Sequence, residues 1–264
     1  MTKYTSFDEL KQDCKNWVEA GKKRGAQDGL KKLLTELYPD KAHFIYELLQ
    51  NAEDKNASEV SFDLYEDKLV FSHNGTKRDF TLDDIDAITN IGHSTSADDP
   101  TAIGQFGVGF KAVYAYTDTP EIHSGAYDFK IIDMLVPEDD SVVKTAKSGF
   151  TQFIFPFNNP KKPPELAVSE IKNGLEELDE TALLFLTHIN HIKYKLPNNS
   201  QGSITIEPTD VIKFLYKIER ISGDGTMTVS HWCRFSQECP IYMPEKGVTE
   251  FPVSIAYRMK LEDS

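Results

Sequence analysis

The sequence is poor in cysteine, in basic charge and in long apolar runs, and each shortage removes a class of function. Three cysteines occur in 264 residues, Cys14, Cys233 and Cys239. An odd count at those spacings fits neither a disulfide framework nor a zinc site. It reads as free thiols in a reducing, cytoplasmic setting. The longest apolar run, Ala182 to Leu186, is far too short to span a bilayer. Residues Met1 to Ser6 carry no apolar signal-peptide core, so no membrane role is expected. Lys and Arg total 29 against 42 Asp and Glu, a net charge of −13 that repels phosphate backbones. Direct nucleic-acid binding is therefore not expected, and the one tight basic cluster, Lys22-Lys23-Arg24, reads as a solvated face. Repeats and low-complexity segments are absent.

What is present is ordinary globular composition, 39% hydrophobic and 27% charged, enough for one large domain or two small ones. Residues 7–20 predict a helix, with Ser6 as N-cap, Phe7, Leu10, Cys14, Trp17 and Val18 on one face, and Gly21 as its end. A second helix is expected over 26–37 and a third over 42–54. A hairpin follows, with strands at 60–65 and 68–72 around Glu66-Asp67. A short helix at 82–90, a polar loop from Gly92 and a glycine turn lead to strands near 121–124, 128–134 and 151–156. Prolines in 158–164 block helix and ladder alike, and mark the expected boundary at about residue 160. Beyond it the pattern reads as helices at 166–178 and 181–187. A β-rich extension follows, with strands near 189–195, 202–207, 211–219, 226–235 and 251–259, the expected start of a further domain of a longer protein.

Four short stretches carry chemistry. On the third helix Glu47, Asn51 and Asp54 sit at i, i+4 and i+7 and share a face. That stripe is either a solvent face or a pocket lining. In a pocket, the carboxylate would orient a water and the carboxamide oxygen would hold magnesium. Ile103-Gly104-Gln105-Phe106-Gly107-Val108-Gly109-Phe110-Lys111 frees backbone amides to approach phosphate oxygens, although it is neither a dinucleotide fingerprint nor a P-loop. Lys111 either reaches a phosphate or lies on the surface. His73-Asn74-Gly75 ends a strand, as a plain turn or as a site. Thr151 opens another strand.

In order and spacing these motifs resemble the GHKL superfamily of gyrase-type ATPase subunits, heat-shock-ninety chaperones, MutL proteins and sensor histidine kinases. Glu47 to Asp54 looks like its N box, His73-Asn74-Gly75 stands at its Asp-x-Gly turn, Ile103 to Phe110 looks like its third motif, and Thr151 stands at its strand threonine. The likeness runs from about residue 38 to 157. His43 to Glu47, Gly107 to Tyr114 and Thr117-Asp118-Thr119-Pro120 look like its sacsin-like branch. The resemblance implies a Bergerat fold, a two-layer α/β sandwich with a mixed, mainly antiparallel sheet under helices. It implies Mg-ATP in the helical layer and a lid at roughly 92–103.

By that resemblance Glu47 polarises the attacking water and Asn51 ligates Mg2+. Gly104, Gln105, Phe106, Gly107, Val108, Gly109, Phe110 and Lys111 hold the phosphates, while Asp54, His73, Asn74, Gly75 and Thr151 belong to the rest of the ATP site. The implied function is slow Mg-dependent ATP hydrolysis driving lid closure and homodimerisation, in a chaperone-like, defence or DNA-associated machine. A nucleotide-dependent binding module with little hydrolysis is the alternative. A sensor kinase is disfavoured because none of the seven histidines sits on a dimerising hairpin. Two departures stand out. The lid lacks the lysine common after its serine. His73 replaces the adenine-reading aspartate, leaving His73, Asn74 or a water on Thr151 to read the base; an unperturbed histidine titrates near 6.5.

Overall fold

The computed structural model describes residues 3–23, 43–75, 79–90, 109–139, 142, 149–210, 212–243 and 247–260. The helix expected over 26–37, the lid at 92–103 and Gly104 to Val108 lie outside the described residues.

Helix α1 spans Phe7–Lys22. Ser6 accepts the Glu9 backbone N–H at 3.2 Å, the expected N-cap. The helix runs through Gly21 instead of stopping there. A glycine in the last turn costs about 1 kcal/mol, and the Lys22–Asp133 ion pair at 2.8 Å helps to hold that turn. Phe7 packs against Tyr127 and Phe129 at 6.2 and 5.9 Å between centroids. Helix α2 spans Phe44–Asp54 and buries Phe44, Ile45, Leu48, Leu49 and Ala52. Helix α3 spans Leu82–Thr89, opened by the reciprocal capping box of Thr81 and Asp84. A 3₁₀ segment covers Gly109–Ala115, and α4 and α5 cover Pro164–Glu177 and Thr181–Leu184.

The strands are β1 Glu59–Leu64, β2 Lys68–His73, β3 Glu121–Ser124, β4 Tyr127–Ile132, β5 Val136–Glu138, β6 Thr151–Pro156, β7 His191–Lys195, β8 Gln201–Pro208, β9 Leu215–Ile221, β10 Met227–Met243 and β11 Gly247–Met259. They form one 11-stranded sheet in the order β11-β10-β9-β8-β7-β1-β2-β6-β3-β4-β5. Among the described residues only the β1·β7 pairing is parallel. This is a mixed α/β architecture dominated by its sheet, and β5 had no counterpart in the sequence pattern. Along β1, Val60, Phe62 and Leu64 are buried, whereas Ser61 and Asp63 alternate with them on the opposite face. Phe153 on β6 is the hub of the core, 5.9–6.2 Å from Phe71, Phe80, Phe110 and Phe155.

The sheet crosses the proline-rich stretch. Asn158 binds the Asp118 backbone N–H at 2.7 Å and Thr119 Oγ1 at 2.6 Å, and the buried Asn159 amide donates to the Tyr114 carbonyl at 2.9 Å. Farther on, the buried Glu53 carboxylate of α2 accepts the backbone N–H groups of Thr187, His188 and Ile189 at 2.7–2.9 Å. Residues 187–189 lead straight into β7, so the C-terminal strands are bolted to the helix that carries Glu47, Asn51 and Asp54.

Candidate functional site

Helix α2 lies between two close approaches. Near its N-terminal end, a Cβ built on Gly109 would collide with the Glu47 carboxylate, so that carboxylate rests on the bare Cα of the last motif glycine. At its C-terminal end, a Cβ on Gly75 would stand 2.9 Å from Lys55 Cβ and 3.0 Å from His73 Nδ1. Glu47 and Lys55 are eight residues apart, about 12 Å along a helix. Asn51 lies midway, one turn from each. It is half-buried, and its side chain has no hydrogen-bond partner among the described residues. Asp54 is half-buried on the same helix and already engaged.

Glu47 is 19% exposed at its side chain, and its Oε1 lies 3.3 Å from His43 Nε2. The i, i+4 spacing puts both on one side of the helix start. Phe110 turns inward against Phe153 and Phe155, at 5.9 and 6.2 Å. That packing anchors the end of the glycine motif to the sheet.

His73 and Thr151 are cross-strand partners on β2 and β6, both buried. Thr151 Oγ1 lies 2.7 Å from Ser124 Oγ. The His73 ring stacks on Phe153 at 6.2 Å, and its Nδ1 accepts the Gly75 backbone N–H at 3.1 Å. Burial, with the Lys55 charge nearby, pushes its pKa down to about 4. That lies below the ordinary value near 6.5, so burial favours the neutral ring.

Two further candidate residues have partners within the chain. The Asn74 side-chain oxygen accepts the Ser58 and Glu59 N–H groups at 3.0 and 2.9 Å, while its nitrogen donates to Ser58 Oγ at 2.9 Å. The carboxamide ties the start of β1 to the end of β2, so it is spent on the backbone. Lys111 is buried, not a surface lysine. It is 2% exposed, donating to the carbonyls of Ile88 at 2.7 Å and Met134 at 2.9 Å. Burial lowers its pKa to about 7. Sequence reading missed Lys55, whose ammonium meets Asp84 at 2.9 Å beside the Gly75 turn. Its only signal was its place directly after Asp54.

Residues 67–154 match the family described as Sacsin domain. The chain is 28% identical over 262 residues to Protein NO VEIN of Arabidopsis thaliana, covering 89% of this chain and 9% of that protein. It is 37% identical over 114 residues to Sacsin of Homo sapiens, covering 37% of this chain and 2% of that protein. The chain thus spans a small fraction of these relatives. Among solved structures, the N-terminal domain of a DNA repair protein overlaps 76% of this chain and 68% of its own, at 12% identity and a TM-score of 0.47. The family match and the two relatives are a sacsin-like similarity over part of the chain. No helix among the described residues is long and apolar enough to cross a membrane.

Proposed function

We propose that this segment is a GHKL-type, Bergerat-fold nucleoside triphosphatase, with ATP the substrate its motifs imply, that hydrolyses slowly and closes a lid on the bound nucleotide. The observation that carries the reading is the seating of α2. Its Glu47 end rests on the last motif glycine and its Lys55 end on the Gly75 turn, with Asn51 between. Motifs far apart in sequence thereby meet along one helix face, long enough for an extended triphosphate.

In this reading the base lies toward His73, Gly75 and Thr151, and the γ-phosphate toward Glu47 and the glycine motif. Glu47 accepts a proton from the attacking water as its oxygen bonds to the γ-phosphorus. The bond from that phosphorus to the bridging oxygen breaks, releasing nucleoside diphosphate and phosphate. His43 positions the carboxylate. Asn51 offers an unengaged hard oxygen, which fits a magnesium ion that keeps most of its waters. Bound there, the ion would neutralise phosphate charge. The lid at 92–103, a nucleotide-dependent homodimer, the boundary near residue 160 and a chaperone-like, defence or DNA-associated task for a longer protein remain parts of the same proposal.

Replacing Glu47 by Gln keeps size and removes the base. Steady-state phosphate release should fall on the order of a hundred- to ten-thousand-fold, with calorimetric nucleotide affinity within a fewfold of wild type. Unchanged turnover would remove Glu47 from the chemistry. Stable nucleotide occupancy without turnover in the wild-type chain would favour the binding-module alternative.

A further inference from the structure

The sheet ends on β11, and among the described residues β11 has no strand on its other side. β9 covers β10 only over residues 227–233, whereas β11 pairs with residues 231–243. Residues 234–243 and 247–256 therefore leave the sheet as a two-stranded ribbon, which is marginal in water by itself.

Two prolines show which backbone groups face the open edge. Proline has no N–H, so inside a strand its nitrogen faces away from the partner. Pro240 opposes Glu250 and Pro252 opposes Glu238. The even-numbered pairs of this hairpin are thus the ones without mutual hydrogen bonds. Arg234 agrees: its N–H turns away from β11, to the Phe214 carbonyl at 2.9 Å. Ser254, Ala256 and Arg258 consequently aim both N–H and C=O at the open edge.

Side chains divide the same strand by face. On one face Ala256 packs on the core, the Ser254 hydroxyl lies 2.8 Å from that of Ser236, and Arg258 meets Glu180 at 3.4 Å. On the other, Val253, Ile255, Tyr257 and Met259 are 45, 52, 59 and 42% exposed, with the exposed Phe235 opposite Ile255. Single apolar side chains on a surface need no explanation. Four in alternation beside open backbone groups match what an added strand uses, main-chain bonds for affinity and alternate side chains for choice. Pro and Lys commonly blunt an edge, and here Pro252 and Lys260 bracket the stretch without entering it. Arg258, the one charge between them, is drawn to Glu180. The net charge of −13 repels a second copy and attracts cationic flanks.

We propose that the β11 edge, over residues 253–259, docks an extended segment of a partner polypeptide, apolar at alternate positions and flanked by Lys or Arg, which joins the sheet as its next strand. None of these residues belongs to the nucleotide site.

The test uses the 264-residue chain and a short synthetic peptide, valine and threonine in alternation between lysines, with amide exchange followed by NMR. In the free chain the N–H groups of Ser254, Ala256 and Arg258 should exchange faster than those of Ile255 and Tyr257, which face β10. Affinity in the micromolar range is expected for so small a contact. With peptide at about ten times its Kd, exchange at the three open positions should slow roughly tenfold. The same peptide with proline at its central valine should leave them fast. Ala256→Pro removes one outward N–H and no bond to β10, so it should weaken the peptide roughly tenfold or more while exchange in β7 and β8 stays unchanged. No protection at about 1 mM peptide, or equal protection by the proline peptide, would overturn the proposal. So would slowing that grows with chain concentration in the absence of peptide, together with a dimer in sedimentation velocity, because the edge would then belong to a second copy.

Discussion

At the scale of single residues, burial decides what a polar group can do. Lys111 follows the glycine motif directly, where a sequence reader places a phosphate ligand. Its ammonium instead satisfies two main-chain carbonyls, Ile88 at the end of α3 and Met134 in the turn between β4 and β5. Lys111→Met matches the stem and deletes both bonds. The Met134 carbonyl keeps the Tyr114 hydroxyl at 3.2 Å, while the Ile88 carbonyl loses its side-chain donor; one such loss costs about 1–3 kcal/mol, so urea or thermal unfolding should show a loss of at least about 1 kcal/mol. Nucleotide affinity, titrated below the unfolding range, should be unchanged. A selective loss of triphosphate over diphosphate binding with stability intact would return Lys111 to the phosphates.

His73 shows the same rule with the sign worked through. Its folded pKa, about 4, lies below the ordinary 6.5. Between those values the unfolded chain binds a proton that the folded chain refuses. The stability this group contributes is therefore present above 6.5 and lost as pH falls toward 4.

At the scale of elements, α2 is both the site's floor and a structural bolt. One face carries Glu47 and Asn51. Glu53, a single residue from the engaged Asp54, points away and gathers three backbone N–H groups of the 187–189 segment, the Thr187 hydroxyl and the His188 ring. Burial alone would raise its pKa, but bonds from Thr187, Ile189 and His188 pull it below the usual carboxylate range. Glu53→Ala should destabilise the chain by about 3 kcal/mol or more, because several buried donors lose their acceptor together. Hydrogen exchange at residues 187–195 should accelerate beyond the rest of the sheet. A variant within about 0.5 kcal/mol of wild type, with exchange unchanged in β7, would show that the bolt bears nothing.

Across the whole molecule, one sheet carries both the strands of His73 and Thr151 and the C-terminal strands, and the pairing of β1 with β7 is the seam. The acidic surface, −13 overall, opposes self-association of free chains. Dimerisation would then need a compensating event. The expected outcome is a monomer in sedimentation velocity without nucleotide, with a dimer appearing on a non-hydrolysable triphosphate and magnesium. Raising salt should ease that step by screening like charge. A dimer equally populated with and without nucleotide would separate assembly from the site.

The sequence by itself determined much of this: helical or alternating period for α1, α2, β1 and β2, the Ser6 cap, and the four motifs in their order. Those signals are local, because periodicity and capping depend on residues a few places apart. It also carried the sacsin-like resemblance within about residues 38–157, of which the Sacsin-domain match covers 67–154. Tertiary structure alone decided the rest. Short β5 left no pattern to read. The prolines of 158–164 end helix and strand locally, yet Asn158 and Asn159 bind back to residues about 40 places earlier and the sheet continues. Most of all, the roles of Asn74, Lys111 and His73 followed from partners distant in the chain or from burial. A side chain's free donors and acceptors are what remain after folding has used the others, and that remainder is not written in any short stretch of sequence.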